Sequence, residues 1–184
     1  MNRKILITGA SGFVGSFLVE EALSRGMEVW AAVRPTSSRK WIADARINIL
    51  PLSFQDEAAL REEILRHKEQ NGAFDCVIHA AGATKARSRD DFFSSNTLVT
   101  RNLAKVLTET GTLTGRMVFM SSLSVMGAIH ESDGGELREG DVPQPNTAYA
   151  ESKLAAEKEL AAMTDLDYVV LRPTGIYGPR ERDY

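Results

Sequence analysis

The apolar run Ile5-Leu6-Ile7 passes straight into the turn Thr8-Gly9-Ala10-Ser11-Gly12-Phe13-Val14-Gly15, and this junction constrains the fold more than any other feature of the chain. A short run of bulky apolar side chains reads as a strand buried on both faces. After it, Phe13, Val14, Phe17, Leu18 and Leu23 recur at helical spacing, so residues 12–25 read as a helix stopped by Gly26. The same alternation continues along the chain. Strands are expected at 29–33, 47–50, 75–79, 117–120 and 168–171, and helices at 56–69, 90–110 and 149–163. In the helix at 56–69, Leu60, Ile64 and Leu65 share a face; in the one at 90–110, Leu98, Leu103, Val106 and Leu107 do. Strands alternating with helices fold as a parallel sheet covered on both faces. Right-handed crossovers make that sheet doubly wound, an α/β fold in three layers, α/β/α.

The glycines define what the first turn can hold. Gly9 suits the dihedrals of a sharp strand-to-helix turn. Gly12 lets backbone approach a pyrophosphate, and Gly15 lets the helix pack close to the sheet. The helix N-terminus adds free N–H groups and partial positive charge. The spacing Gly9-x-x-Gly12-x-x-Gly15 differs from the commonest dinucleotide fingerprint, but its place between strand and helix is the context that fingerprint needs. A purely structural turn would use the same glycines.

NAD binders often carry an acidic residue about 20 residues further on, for the ribose hydroxyls. Here the second strand ends Ala32-Val33-Arg34, and Ser37, Ser38, Arg39 and Lys40 follow. A guanidinium can fork onto a 2′-phosphate and hydroxyls can complete the site, so NADP is favoured over NAD, with Arg34 and Ser37 as its contacts. An ordinary solvated loop is the alternative.

Downstream, Tyr149-Ala150-Glu151-Ser152-Lys153 places a phenol and an ammonium four residues apart on one helix face. The ammonium favours the phenolate, and a tuned phenol can give or take the proton of a substrate oxygen while hydride moves at carbon. Ser121, Ser122 and Ser124 stand at the end of the fifth strand, where an open parallel sheet builds its site. An ordinary amphipathic helix would account for the Tyr/Lys pair taken alone.

Composition narrows the classes of function. The 184 residues suit one domain, 1–184. The net charge of −3 makes no case for nucleic acid or an anionic membrane. No apolar stretch approaches the ~20 residues of a membrane span, and the apolar run near the N-terminus is too short for a signal peptide. The single cysteine, Cys76, reads as a buried strand residue and fits a reducing cytoplasm. His67, His79 and His130 have no metal-ligand spacing; no metal is expected, and His79 reads as packed in or beside its strand. Asp90-Asp91 reads as a helix start, and Trp30 and Trp41 as core or loop anchors. The longest patternless stretch, 127–147, reads as a functional or mobile loop.

With these motifs in place, the chain resembles an extended short-chain dehydrogenase/reductase of the NAD(P)-dependent epimerase/dehydratase kind. The resemblance also rests on His79-Ala80-Ala81-Gly82, Asn96-Thr97-Leu98-Val99-Thr100-Arg101-Asn102-Leu103, Ser121-Ser122-Leu123-Ser124-Val125-Met126-Gly127 and Leu171-Arg172-Pro173-Thr174-Gly175-Ile176-Tyr177-Gly178-Pro179-Arg180. It implies a Rossmann fold with Tyr149 as acid/base, Ser122 as the catalytic hydroxyl, and Lys153 lowering the pKa of Tyr149 and binding the nicotinamide ribose. The cofactor contacts it implies are Gly9, Ser11, Gly12, Phe13, Val14, Gly15, Arg34, Ser37, Ser53, Phe54, Ala80, Ala81, Gly82, Asn96, Tyr149, Lys153 and Pro173. Ser53 stands where the family often has an Asp against adenine, and Met126 where a tyrosine is common, which bears on the substrate pocket. Family members usually run much longer, so 1–184 reads as the N-terminal cofactor domain of a longer protein, without its substrate domain. A homodimer through the helices at 90–110 and 149–163 is a further implication. The expected reaction is hydride transfer at a secondary alcohol or ketone, on a small-molecule substrate such as a nucleotide sugar. Alternatives are an NADP-dependent reductase of small or aromatic ketones, suggested by Val33-Arg34-Pro35, and a non-catalytic NADP-binding sensor or scaffold.

Overall fold

A computed structural model describes residues 2–128 and 135–181; His130 and Gly134 of the expected long loop lie outside them. Six strands form one sheet: β1 (Lys4–Thr8), β2 (Glu28–Val33), β3 (Asn48–Pro51), β4 (Phe74–His79), β5 (Leu113–Met120) and β6 (Tyr168–Leu171). All neighbouring strands run parallel, in the order β3-β2-β1-β4-β5-β6. The order reverses between β1 and β4, and at such a switch point a crevice opens outside the carboxyl ends of the strands.

The period of two along β1 divides the core. Leu6 faces a cluster with Leu60, Ile64, Phe74, Leu103 and Leu160, whereas Ile5 and Ile7 face one with Val19, Leu23, Val29 and Ala31. The first face is covered by α2 (Glu57–Asn71), α4 (Val99–Glu109) and α5 (Ala148–Ala161); the second is covered by α1 (Phe13–Ser24). This is the expected doubly wound α/β/α sheet.

Several elements differ from expectation in instructive ways. The buried face of α1 is Gly15, Ser16, Val19, Ala22 and Leu23, whereas Phe17 remains 38% exposed. A helix seated close on the sheet admits small residues at the contact and turns its large ones outward. In α2 His67, not Leu65, joins Leu60 and Ile64 inside. The expected helix at 90–110 is three pieces: α3 (Arg89–Phe92, capped by Ser88), a π-helical turn at Phe93–Leu98, and α4. π turns widen a helix locally and favour functional sites. β5 begins four residues early, because Thr114, Gly115 and Arg116 are exposed and hide the strand signal. Cys76 lies in β4 but is half-buried, with burial raising its thiol pKa. No helix among the described residues is long and apolar enough to cross a membrane.

Candidate active site

The turn after β1 is built to exclude side chains. Gly9 has φ +66°, and a Cβ there would stand 2.7 Å from the carbonyl of Ala80 and the amide of Ala81. A Cβ on Gly15 would collide with the carbonyl oxygen of Gly9. The Gly12 amide donates to that same oxygen at 2.9 Å, closing the turn. α1 starts immediately after Gly12, with no side-chain cap and no acidic residue in its first turn. Its N-terminal partial charge is therefore not neutralised by the helix's own side chains, which suits an anion. Ser11 lies in this turn and Phe13 and Val14 open α1, while Ala80 and Ala81 just after β4 stand against Gly9 and Gly82 faces Asn96 and Lys153.

Arg34 stands exposed at the end of β2, where its amide donates to Ser37 Oγ at 3.2 Å and its carbonyl accepts from the Ser37 amide at 2.9 Å. Residues 34–37 form a closed turn, and the guanidinium-bearing Arg34 and Arg39 are both exposed. Ser53, just past β3, is held by a residue not anticipated from sequence: its amide and hydroxyl donate to the carboxylate of Glu63, at 2.7 and 2.8 Å. A carboxylate thus sits one side chain away from where the family often has its Asp. Phe54 is buried, and its carbonyl accepts from Asn102 Nδ2 at 3.1 Å.

At the other end of the crevice Thr147 caps α5, its hydroxyl accepting from the Ala150 amide at 3.1 Å. Tyr149 is half-buried one turn before Lys153, edge-on to Phe92 with ring centres 6.0 Å apart. Lys153 is 3% exposed; its Nζ donates to the Met120 carbonyl at 2.6 Å and lies 4.3 Å over the Phe119 ring. Burial pulls its pKa down to about 8, partly offset by the anion of Glu157. The three serines at the end of β5 separate. The hydroxyls of Ser122 and Ser124 pair at 2.6 Å at the start of a 3-10 turn, whereas Ser121 turns inward to Glu157. Met126, which stands where the family commonly has a tyrosine, is buried against Arg172, its Sδ 3.2 Å from Nη1.

A continuous polar chain ties the two ends together. The Ala81 amide donates to Thr8 Oγ1 at 3.1 Å, and Thr8 Oγ1 lies 2.6 Å from His79 Nδ1. His79 Nε2 is 2.9 Å from Thr100 Oγ1, which donates to the Asn96 carbonyl at 2.6 Å. With the Thr100 proton spent on Asn96, the consistent tautomer carries hydrogen on Nε2 and accepts from Thr8 at Nδ1. Burial, and secondarily the charge of Lys153, push the pKa of His79 down to about 3 and keep the ring neutral. Asn96, inside the π turn, accepts from the Ala83 amide at 2.7 Å and donates to the Ala83 carbonyl at 3.2 Å and Ser152 Oγ at 2.9 Å. Its amide braces the loop after β4 against α5. Pro173 uses its carbonyl to accept from the Leu123 amide at 2.8 Å, linking the exit of β6 to the serine turn. Among the described residues no group of three or more His, Cys, Asp or Glu could hold a metal ion.

Sequence reasoning passed over Glu157 and Arg172 as site residues. Glu157 lies four residues after Lys153 on the same helix, and that spacing was the available signal. Glu63 and Asn102 had no local signal, since their partners are ten and some fifty positions away.

A match to the NAD dependent epimerase/dehydratase family spans residues 5–184. The chain belongs to that family. It is 30% identical to the UDP-glucose 4-epimerase of Vibrio cholerae, over 97% of this chain and 53% of that protein. It is 26% identical to the decarboxylating sterol-4-alpha-carboxylate 3-dehydrogenase of Dictyostelium discoideum, over 97% of this chain and 55% of that protein. Among solved structures, the Thermus thermophilus UDP-glucose 4-epimerase in complex with NAD superimposes with a TM-score of 0.83 at 26% identity, covering 98% of this chain and 58% of that one. The chain therefore spans about half the length of the curated relatives it matches. These members of the family are enzymes, and the extended short-chain dehydrogenase/reductase resemblance is borne out.

Proposed function

We propose that this chain is the dinucleotide-binding domain of a longer NAD(P)-dependent enzyme that transfers hydride at a secondary alcohol or ketone of a nucleotide sugar. The observation that carries the reading is Lys153, a buried ammonium one helical turn from Tyr149 at the carboxyl end of a parallel sheet. The side-chain-free cradle supports the cofactor assignment: a Cβ at Gly9 or Gly15 would fill it, and the first turn of α1 carries no acid. Gly9, Ser11, Gly12, Phe13, Val14 and Gly15 would hold the pyrophosphate, with Ser53, Phe54, Ala80, Ala81 and Gly82 bordering the adenosine half. Asn96 would act on that site through the Ala83 backbone. When bound, the nicotinamide supplies the hydride acceptor or donor.

The protein's own groups do the remaining work. Tyr149 would exchange the proton of the substrate oxygen; Lys153 would favour the phenolate by its charge and, with Pro173, would hold the nicotinamide ribose. The Ser122 hydroxyl, paired with Ser124, hydrogen-bonds the substrate oxygen in the position needed for that proton transfer. Neutral His79 keeps Thr8 and the Ala81 amide fixed and adds no competing proton.

NADP is the proposed cofactor, because the end of β2 presents Arg34 and no carboxylate. That observation also favours a second reading, an NADP-dependent reductase of small or aromatic ketones. Calorimetric titration of the chain with NADP and with NAD tests the cofactor. Tighter NADP binding, weakened by Arg34→Ala, supports the assignment; tighter NAD binding overturns it. Turnover of UDP-sugars or of ketones by the longer protein, followed by nicotinamide absorbance or sugar product, separates the two substrate classes. Cofactor binding without turnover of either would favour a cytoplasmic sensor or scaffold. The homodimer through α4 and α5 is tested by sedimentation at high concentration.

A further inference from the structure

One ion pair, between the buried Glu157 and the half-buried Arg172, touches four segments of the candidate site at once. Glu157 is 8% exposed. Its Oε1 accepts from Ser121 Oγ at 2.5 Å and Arg172 Nε at 3.1 Å, and its Oε2 accepts from Arg172 Nη2 at 2.6 Å. Arg172 also reaches Met126 in the 3-10 turn, and the Ser121 amide donates to the Leu171 carbonyl at 2.7 Å. The carboxylate thus joins α5, the end of β5, the serine turn and the exit of β6. Its two partners are chain neighbours of site residues, Ser121 of Ser122 and Arg172 of Pro173; Lys153 is one turn earlier on α5.

We propose that Glu157, clamped by Arg172 and Ser121, is a positioning residue that sets where Lys153 and the Ser122 hydroxyl stand in the nicotinamide half of the site; this rests on the reading above that Lys153 holds the nicotinamide ribose. Stability alone is a poor reason for the pair, because well-packed apolar residues serve as well and avoid the cost of burying the carboxylate and part of the guanidinium. A bidentate guanidinium–carboxylate contact, in contrast, fixes direction as well as distance. Lys153 needs such fixing. It is surrounded by the Met120 carbonyl, the Phe119 ring, the Gly82 loop with Asn96, and neutral His79 from β4, with Tyr149 on its own helix. Glu157 is the carboxylate whose charge acts on it, and Arg172 holds that charge in place. The anion opposes the effect of burial on the lysine.

The test uses the chain with ¹³C at lysine Cε, the Lys153 signal being assigned by its loss in Lys153→Arg. Two variants are compared: Glu157→Gln, and Glu157→Gln with Arg172→Met, which removes both charges so that the half-buried guanidinium is not left unpaired. In either variant that folds, the Lys153 titration midpoint is expected to fall, by about one pH unit in the single variant and less in the double. Dinucleotide affinity is expected to drop about tenfold while affinity for ADP, which lacks the nicotinamide half, stays constant. An unchanged Lys153 midpoint in folded Glu157→Gln overturns the proposal, as does an equal loss for ADP and dinucleotide in either folded variant, the mark of a general structural role. If the unaltered chain binds neither NAD nor NADP, the cofactor reading fails, and the Lys153 titration still decides the positioning claim.

Discussion

The two ends of the crevice are built from opposite materials. The cradle between β1 and α1 is backbone: Gly9, Gly12 and Gly15 remove side chains, and the helix terminus supplies the electrostatics. The end beneath β5 and β6 is a packed set of buried polar side chains, with Lys153, Glu157, Ser121 and Ser152 each under a tenth exposed. A pyrophosphate needs many weak, fixed dipoles and close approach, which backbone provides. Proton transfer needs one group of tuned acidity, and tuning requires burial and chosen neighbours.

Tyr149→Phe sharpens the contrast most. Turnover by the enzyme proposed above is expected to fall about 100-fold or more, the range lost with a general acid/base. Cofactor affinity, which the cradle supplies, should stay within about twofold of the original. Retained turnover in this variant would remove Tyr149 from the mechanism.

Gly15→Ala attacks the other end. The new methyl meets the Gly9 carbonyl and must displace the turn, so stability in urea is expected to drop by about 3 kcal/mol, with cofactor affinity falling in parallel. A variant as stable as the parent would mean that the turn yields where the packing says it cannot.

Acid probes the buried rings of the core without mutation. His67, packed between Trp30 and Phe74, is pushed down to about 4 by burial, and His79 to about 3. Both fold with less affinity for protons than the unfolded chain has. Their stabilisation is whole above pH ~6.5 and is lost as pH falls, through about 4 for His67 and about 3 for His79, at a limit of ~1.4 kcal/mol per unit for each. Urea midpoints at pH 7.5 and pH ~5.5 test this; equal midpoints would show that the two rings are not held neutral.

The smallest effect is expected at Arg34→Ala, about a tenfold loss of NADP affinity with NAD unaffected, measured by calorimetry. Equal loss for both would make Arg34 a contact to adenine in place of one to a 2′-phosphate.

Much of this was legible along the chain. The run Ile5-Leu6-Ile7 into Gly9, and the Tyr149/Lys153 spacing, are local patterns, and local patterns survive in sequence because strand and helix periods are short. The helix at 90–110 was legible as a helix but not as a helix with a π turn, and the side chain of Asn96 in that turn reaches Ala83 and Ser152, partners that no local spacing indicates. The inward face of α1 was misplaced for a related reason: Phe17 and Leu18 have the more apolar side chains, yet the contact distance to the sheet selects Gly15, Ser16 and Ala22.

The sequence by itself determined the alternation of elements, the parallel sheet, the glycine cradle and the family. Only the tertiary structure decided which polar groups are spent on one another. Ser121 and Ser122 are adjacent and chemically identical, but one faces Glu157 and the other Ser124. Glu63 finds Ser53, Asn102 finds Phe54, and His79 finds Thr8 and Thr100. A side chain's hydrogen-bond capacity is written in its residue type, whereas its partner is chosen by which strands and helices stack, over separations that no local spacing encodes.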